Sequence, residues 1–123
     1  MTGRITLKNM SFYGFHGHLP REAKTGQTFL VDVILDAEIG TAAESDALPH
    51  TADFAEVHRL CHDVMEGSRV NLVETLCARL LDMLLARFPT VRRAEVAIRK
   101  PSAPMPGALD YVEVRAAADR GGS

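Results

Sequence analysis

From Phe29 to Ala37 the chain alternates without a break: Phe29, Val31, Val33, Leu35 and Ala37 point one way, and Leu30, Asp32, Ile34 and Asp36 the other. Successive side chains of a strand face opposite sides, so such a run is a half-buried strand that demands a covering layer on one face. Three more segments read as its partners. Ile5 and Leu7 alternate with Thr6 and Lys8 in a run that continues through Met10 and Phe12 to Gly14. A third strand spans Arg93 to Lys100, and a fourth spans Tyr111 to Ala116.

The covering layer is helical. Asp53 with Glu56 has the form of a capping box, and Val57, Leu60, Cys61 and Val64 follow at helical spacing until Gly67. Asn71 with Glu74 repeats the cap, ahead of Val73, Leu76, Cys77, Leu80, Leu84 and Phe88, before Pro89 ends the helix. The order ββααββ defines an α+β domain, a four-stranded antiparallel sheet with two helices on one face. Residues 1–118 form this single domain, and residues 119–123, Asp-Arg-Gly-Gly-Ser, read as a disordered tail. Four strands leave open edges, which favours a homo-oligomer whose sheets join between subunits.

Bulk properties narrow the function. Fourteen Lys and Arg against 16 Asp and Glu give a formal charge of -2 over 123 residues, with no basic run, which argues against nucleic acid. No stretch has the length and apolarity of a membrane span, and the first twenty residues lack a secretory pattern. Cys61 and Cys77 lie in helical segments with no second pair and read as reduced core thiols of a cytoplasmic protein.

Lys100 is the first candidate for chemistry. It ends a strand and precedes Pro101-Ser102-Ala103-Pro104-Met105-Pro106-Gly107, and a residue before proline is confined to extended backbone. Its bland reading is a lysine that ends a strand in water. Glu74 either closes its capping box or, as an acceptor-only group at a helix start, grips paired N–H donors such as an amino-pyrimidinone edge. Glu22 lies in the long segment Gly17–Gly26, where solvation is the ordinary state of an acid. His16-Gly17-His18 and the pair His58 and His62 have metal-like spacing, but neither has an evident third ligand. They read as turn and surface histidines, with no metal. There is no phosphate loop and no serine elbow.

Taken together, Phe12-Tyr13-Gly14-Phe15-His16-Gly17, Glu22, Gly26-Gln27-Thr28-Phe29, Asn71-Leu72-Val73-Glu74-Thr75-Leu76 and Lys100-Pro101-Ser102-Ala103-Pro104 resemble the dihydroneopterin aldolases of folate biosynthesis. The resemblance spans nearly the whole chain in order. It implies the tunnelling fold, with subunits joined in rings and two tetrameric rings stacked as an octamer, and active sites between subunits. It also implies a pterin substrate held by Glu74, with main-chain groups near Ala52, Leu72 and Val73, and Glu22 and Lys100 as the catalytic pair flanking the reacting side chain. The implied reaction is retro-aldol cleavage, accompanied by epimerisation. No cofactor is needed, because the C6=N5 imine of the substrate takes up the electrons of the broken bond.

The chain departs from the family pattern at Phe54, where Thr51-Ala52-Asp53-Phe54 replaces Thr-x-x-Tyr. Phenylalanine can pack on a pterin but cannot donate a proton. Two further readings follow from the missing hydroxyl: an oxygenase that forms 7,8-dihydroxanthopterin, and a pterin-binding protein without turnover. His18, Tyr111 and Glu113 are smaller departures that bear on the substrate-side pocket. The His-Gly-His sequence also raises a zinc-dependent 6-pyruvoyltetrahydropterin synthase type, whose histidines belong to a different part of that fold.

Overall fold

The computed structural model describes residues 1–121. Its sheet has the order β1-β2-β3-β4, every neighbour antiparallel, with β1 at Thr2–Gly14, β2 at Gln27–Glu38, β3 at Val91–Lys100 and β4 at Val112–Asp119. Two long helices, α3 (Phe54–Met65) and α4 (Val73–Arg87), complete the ββααββ order expected from the sequence. Two short helices, α1 (Pro20–Thr25) and α2 (Gly40–Ser45), and the 3₁₀ turn Leu48–His50 occupy segments that had no assigned structure. Among the described residues, no helix is long and apolar enough to cross a membrane.

The Phe29–Ala37 alternation sets the core. Phe29, Val31, Val33 and Leu35 are fully buried on the helix side, opposite Ile98, Val96 and Ala94 of β3. Val57, Cys61 and Met65 of α3 and Leu76, Leu80 and Leu84 of α4 close over them. Burying each large side chain contributes about 1.5–3 kcal/mol. Both cysteines are free and lie in this core, where burial pushes the Cys61 thiol up to about 12 and the Cys77 thiol up to about 11.

In β1 the apolar positions change parity between Leu7 and Met10, and the structure shows why. A bulge shifts the register there, with Asn9 in the left-handed region at φ 55°, so Leu7 faces Val33 and Met10 faces Val31 on the same side. Asp32, on the other face of β2, accepts the Asn9 N–H at 2.8 Å and takes Arg99 through both oxygens, at 3.1 and 2.5 Å. A ladder of charge crosses this face. Arg4, Asp36, Arg93 and Asp119 lie in register across all four strands with alternating sign.

Both expected capping boxes fail, for the same reason. Asp53 does cap α3, accepting the Ala55 N–H at 3.0 Å, but Glu56 is drawn to Arg87 at the far end of α4. Leu72 is the N-cap of α4, without a side-chain cap, because the Asn71 side chain accepts from Arg69. The tail is also corrected. β4 runs on to Asp119, and the Arg120 guanidinium donates to the carbonyls of Val91, Leu85 and Phe88 at 2.6, 2.5 and 2.9 Å. Residues 122 and 123 of that expected tail lie outside the described residues.

Candidate active site

Two of the expected site residues, Glu22 of α1 and Lys100 of β3, come together at the open end of β3. Pro20 pre-sets the backbone of the first turn of α1, and Glu22 at its third position reaches back to accept the Leu19 N–H at 3.3 Å. This turns Glu22 inward, to 4% exposure. Lys100, at the last position of β3, brings its ammonium to Glu22 Oε2 at 2.5 Å, with its side chain 12% exposed. The solvated readings of both residues are therefore set aside. The Lys100 ammonium also stands 6.0 Å above the Phe29 ring, a cation–π contact that seats it against the core.

Gly17 makes the approach possible. Its φ is +143° and a Cβ there would overlap the Glu22 carboxylate, so only glycine fits. Its N–H donates to Val70 O at 3.0 Å, and Arg69 donates to its carbonyl. These bonds tie the loop to the segment that leads into Leu72, Val73 and Glu74.

His16 is no surface histidine. It is fully buried, donating from Nε2 to Met65 O at 2.7 Å and accepting the Val70 N–H at Nδ1, 3.2 Å away. That pairing requires the neutral ring, and burial lowers its pKa, aided by the charges of Arg69, Arg79 and Lys100 against the opposing Met65 bond. His18 is exposed and lies beside this loop. His58 and His62 are exposed and flank the Phe12 ring, with centroids at 5.2 and 6.2 Å. No three His, Cys, Asp or Glu side chains among the described residues converge on a metal-binding position.

Burial alone would raise the pKa of Glu22. The hydrogen bond from Lys100, the Leu19 N–H, the charge of Lys100 and the amide of Gln27 outweigh it, so the carboxylate is held below its ordinary range. Gln27, which sequence reasoning missed, donates from Nε2 to Glu22 Oε2 at 3.0 Å. Its only sequence signal is its place between Gly26 and the apolar run of β2. A cavity of about 410 Å³ adjoins the pair, lined by Arg21, Glu22, Gln27, Ser102 and Met105 among others. The arrangement can exchange protons with a ligand through a charged, partly desolvated Lys–Glu couple.

The other expected residues divide into two groups. Val73 is buried, while Leu72 and Glu74 are exposed at the start of α4 on the Val70 side of the site. With its capping box unformed, Glu74 has an open carboxylate. Ala52, buried, and Phe54, 61% exposed, stand at the start of α3, where Glu56 meets Arg87 at the opposite end of α4. Fifteen helical residues, about 22 Å of rise, separate those ends. Within one subunit Phe54 and Glu74 do not meet.

The four-stranded antiparallel sheet with its helical layer is the tunnelling fold. The dihydroneopterin aldolase from Escherichia coli in complex with neopterin shares the fold at a TM-score of 0.84, 23% identity and 94% and 98% coverage of this chain and that one. The Burkholderia thailendensis dihydroneopterin aldolase bound to guanine aligns at a TM-score of 0.78 with 25% identity, covering 96% and 91%. A Bacillus subtilis dihydroneopterin aldolase is 38% identical over 111 residues, 90% of this chain and 92% of that one. The sequence profile of dihydroneopterin aldolase matches residues 5–117. The chain belongs to the dihydroneopterin aldolase family of folate biosynthesis, and is thus a lyase.

Proposed function

We propose that this enzyme cleaves 7,8-dihydroneopterin by a retro-aldol reaction to 6-hydroxymethyl-7,8-dihydropterin and glycolaldehyde. The observation that carries this reading is the buried contact between Lys100 and Glu22 at 2.5 Å beside an open cavity. Glu74 takes the paired N–H donors of the amino-pyrimidinone edge, with Leu72 and Val73 supplying main-chain groups. The Escherichia coli and Burkholderia relatives support a ligand of this edge type, since neopterin and guanine share it. Lys100, Glu22 and water remove the 2′-hydroxyl proton and supply one to N5 as the C1′–C2′ bond breaks. The bond's electrons enter the C6=N5 imine, leaving an enol at C1′ that is then protonated. The same couple can run the addition in reverse with the other face of the aldehyde, which is the basis of epimerisation.

The site is completed by a second copy of the chain. The separation of Phe54 and Glu74 along α4 supports this, as do the two sheet edges, β1 and β4, whose outer backbone groups have no strand partner among the described residues. Pairing β1 of one copy with β4 of the next closes a ring, and stacked tetrameric rings give the octamer. His18, on the exposed loop, and Phe54 and Ala52 from the neighbour flank the pterin.

Phe54 favours a second product. Without a hydroxyl to assist protonation, the enol persists, and O₂ adding across its C1′=C6 bond yields 7,8-dihydroxanthopterin and formic acid. Incubating enzyme and 7,8-dihydroneopterin with and without oxygen, with products identified by mass spectrometry, tests both readings. Hydroxymethyldihydropterin as sole product under both conditions retires the oxygenase. Neopterin binding with no product under either condition retires the aldolase in favour of a pterin-binding protein.

A further inference from the structure

Gln27 opens β2, is 9% exposed, and lies within hydrogen-bond reach of the carboxylate that pairs with Lys100. One end of its amide is engaged, Nε2 donating to Glu22 Oε2 at 3.0 Å. The other end is not: among the described residues, Gln27 Oε1 is the one buried side-chain oxygen or nitrogen without a hydrogen-bond partner. Turning the amide over does not relieve this, because it would set two acceptors, Oε1 and the Glu22 carboxylate, against each other. Folds rarely leave a buried acceptor unfilled unless water or a ligand supplies the donor. Gln27 lines the same cavity of about 410 Å³ as Glu22.

We propose that Gln27 is a positioning residue for the reaction, its N–H holding Glu22 Oε2 against Lys100 and its Oε1 receiving a hydroxyl of the substrate's 6-side chain. This rests on the aldolase reading, in which the trihydroxypropyl chain enters that cavity. A hydroxyl is the fitting donor, since it can give its proton to Oε1 and keep its lone pairs for other donors. The amide thus registers the side chain against the acid/base couple, while Glu74 registers the ring.

Two variants separate the two halves of the amide. Gln27→Met keeps length and volume and removes both polar ends, while Gln27→Glu keeps an acceptor and removes the donor. Binding is measured with neopterin and with 6-methylpterin, which has the same ring edge and no hydroxyl, and turnover of 7,8-dihydroneopterin is followed against pH. Gln27→Met is expected to weaken neopterin about tenfold and leave 6-methylpterin unchanged. Gln27→Glu is expected to keep that preference. In both, the acid limb of kcat moves to higher pH, because Glu22 loses a donor that lowers its pKa. Equal weakening of both pterins with an unmoved acid limb would reduce Gln27 to a packing role, and unchanged neopterin affinity in Gln27→Met would leave the acceptor to water. If the unaltered enzyme binds neopterin but cleaves nothing, the aldolase reading fails, and the ratio of the two affinities still decides whether Oε1 takes a hydroxyl.

Discussion

The ammonium of Lys100 and Oε2 of Glu22 meet at 2.5 Å across a sequence separation of 78 residues. Their encounter couples the end of β3 to a one-turn helix that opens the other side of the cavity. Burying the pair gives up hydration that each group would keep at the surface. Lys100→Ala is therefore expected to lower kcat about 100- to 10,000-fold, the range of a positioned acid/base group. Neopterin affinity, measured by fluorescence titration, should stay within a few-fold. Unchanged turnover would remove Lys100 from the chemistry.

Among the described residues Glu74 makes no capping box and no ion pair, which leaves its carboxylate open to a ligand. Glu74→Ala is expected to weaken neopterin at least tenfold, as loss of a charged acceptor facing two donors implies. The melting temperature should not fall. A variant that binds normally but melts early would return Glu74 to a helix-stabilising role.

Acid stability should follow Glu22. Its folded pKa lies below the ordinary 4.5, so its contribution is complete above that value and is lost as pH falls through the lowered one. Between about pH 6 and about pH 3, the melting temperature of the unaltered protein should drop more steeply than that of Glu22→Gln. Parallel curves would mean that ionisation of Glu22 is uncoupled from folding.

Charge on the open face of the sheet is unequal in weight. Asp32 is 1% exposed and takes its two shortest side-chain bonds from Arg99, so Arg99→Ala should cost about 3 kcal/mol in denaturant unfolding by leaving a buried carboxylate with only the Asn9 N–H and the more distant Lys8 ammonium at 3.8 Å. Arg4→Ala, whose partner Asp36 can turn to water and whose own side chain is 65% exposed, should cost far less. Similar losses in the two variants would contradict this ranking.

What the sequence made legible follows from range. The Phe29–Ala37 pattern specifies its own buried face, and the proline after Lys100 marks the strand end, because both depend on adjacent residues. The run from Ile5 to Gly14 read as one strand, and its bulge between Leu7 and Met10 went unread, since the bulge is held by Asp32 and Arg99. The same limit hid the burial of Glu22, which needs Gly17 and Lys100 at once, and of His16, whose partners Met65 and Val70 come from the turn between two helices. The capping boxes failed for the complementary reason. A local motif was intact, but Arg87 and Arg69 offered Glu56 and Asn71 stronger partners. Arg120 likewise gathers the carbonyls of Leu85, Phe88 and Val91 and so anchors residues that composition alone marks as a frayed end.

The length of α4 has a genetic consequence. Because it keeps Phe54 and Glu74 at opposite ends of a subunit, the proposed ring makes every copy a lender to one neighbour and a borrower from the other. A chain lacking only Lys100 and a chain lacking only the Phe54 ring are each inactive alone under that scheme, yet mixed rings regain intact sites wherever the second chain's catalytic face meets the first chain's aromatic ring. A copy defective in both faces does the reverse, silencing two sites at once, so its harm to a mixed population exceeds its share of the molecules.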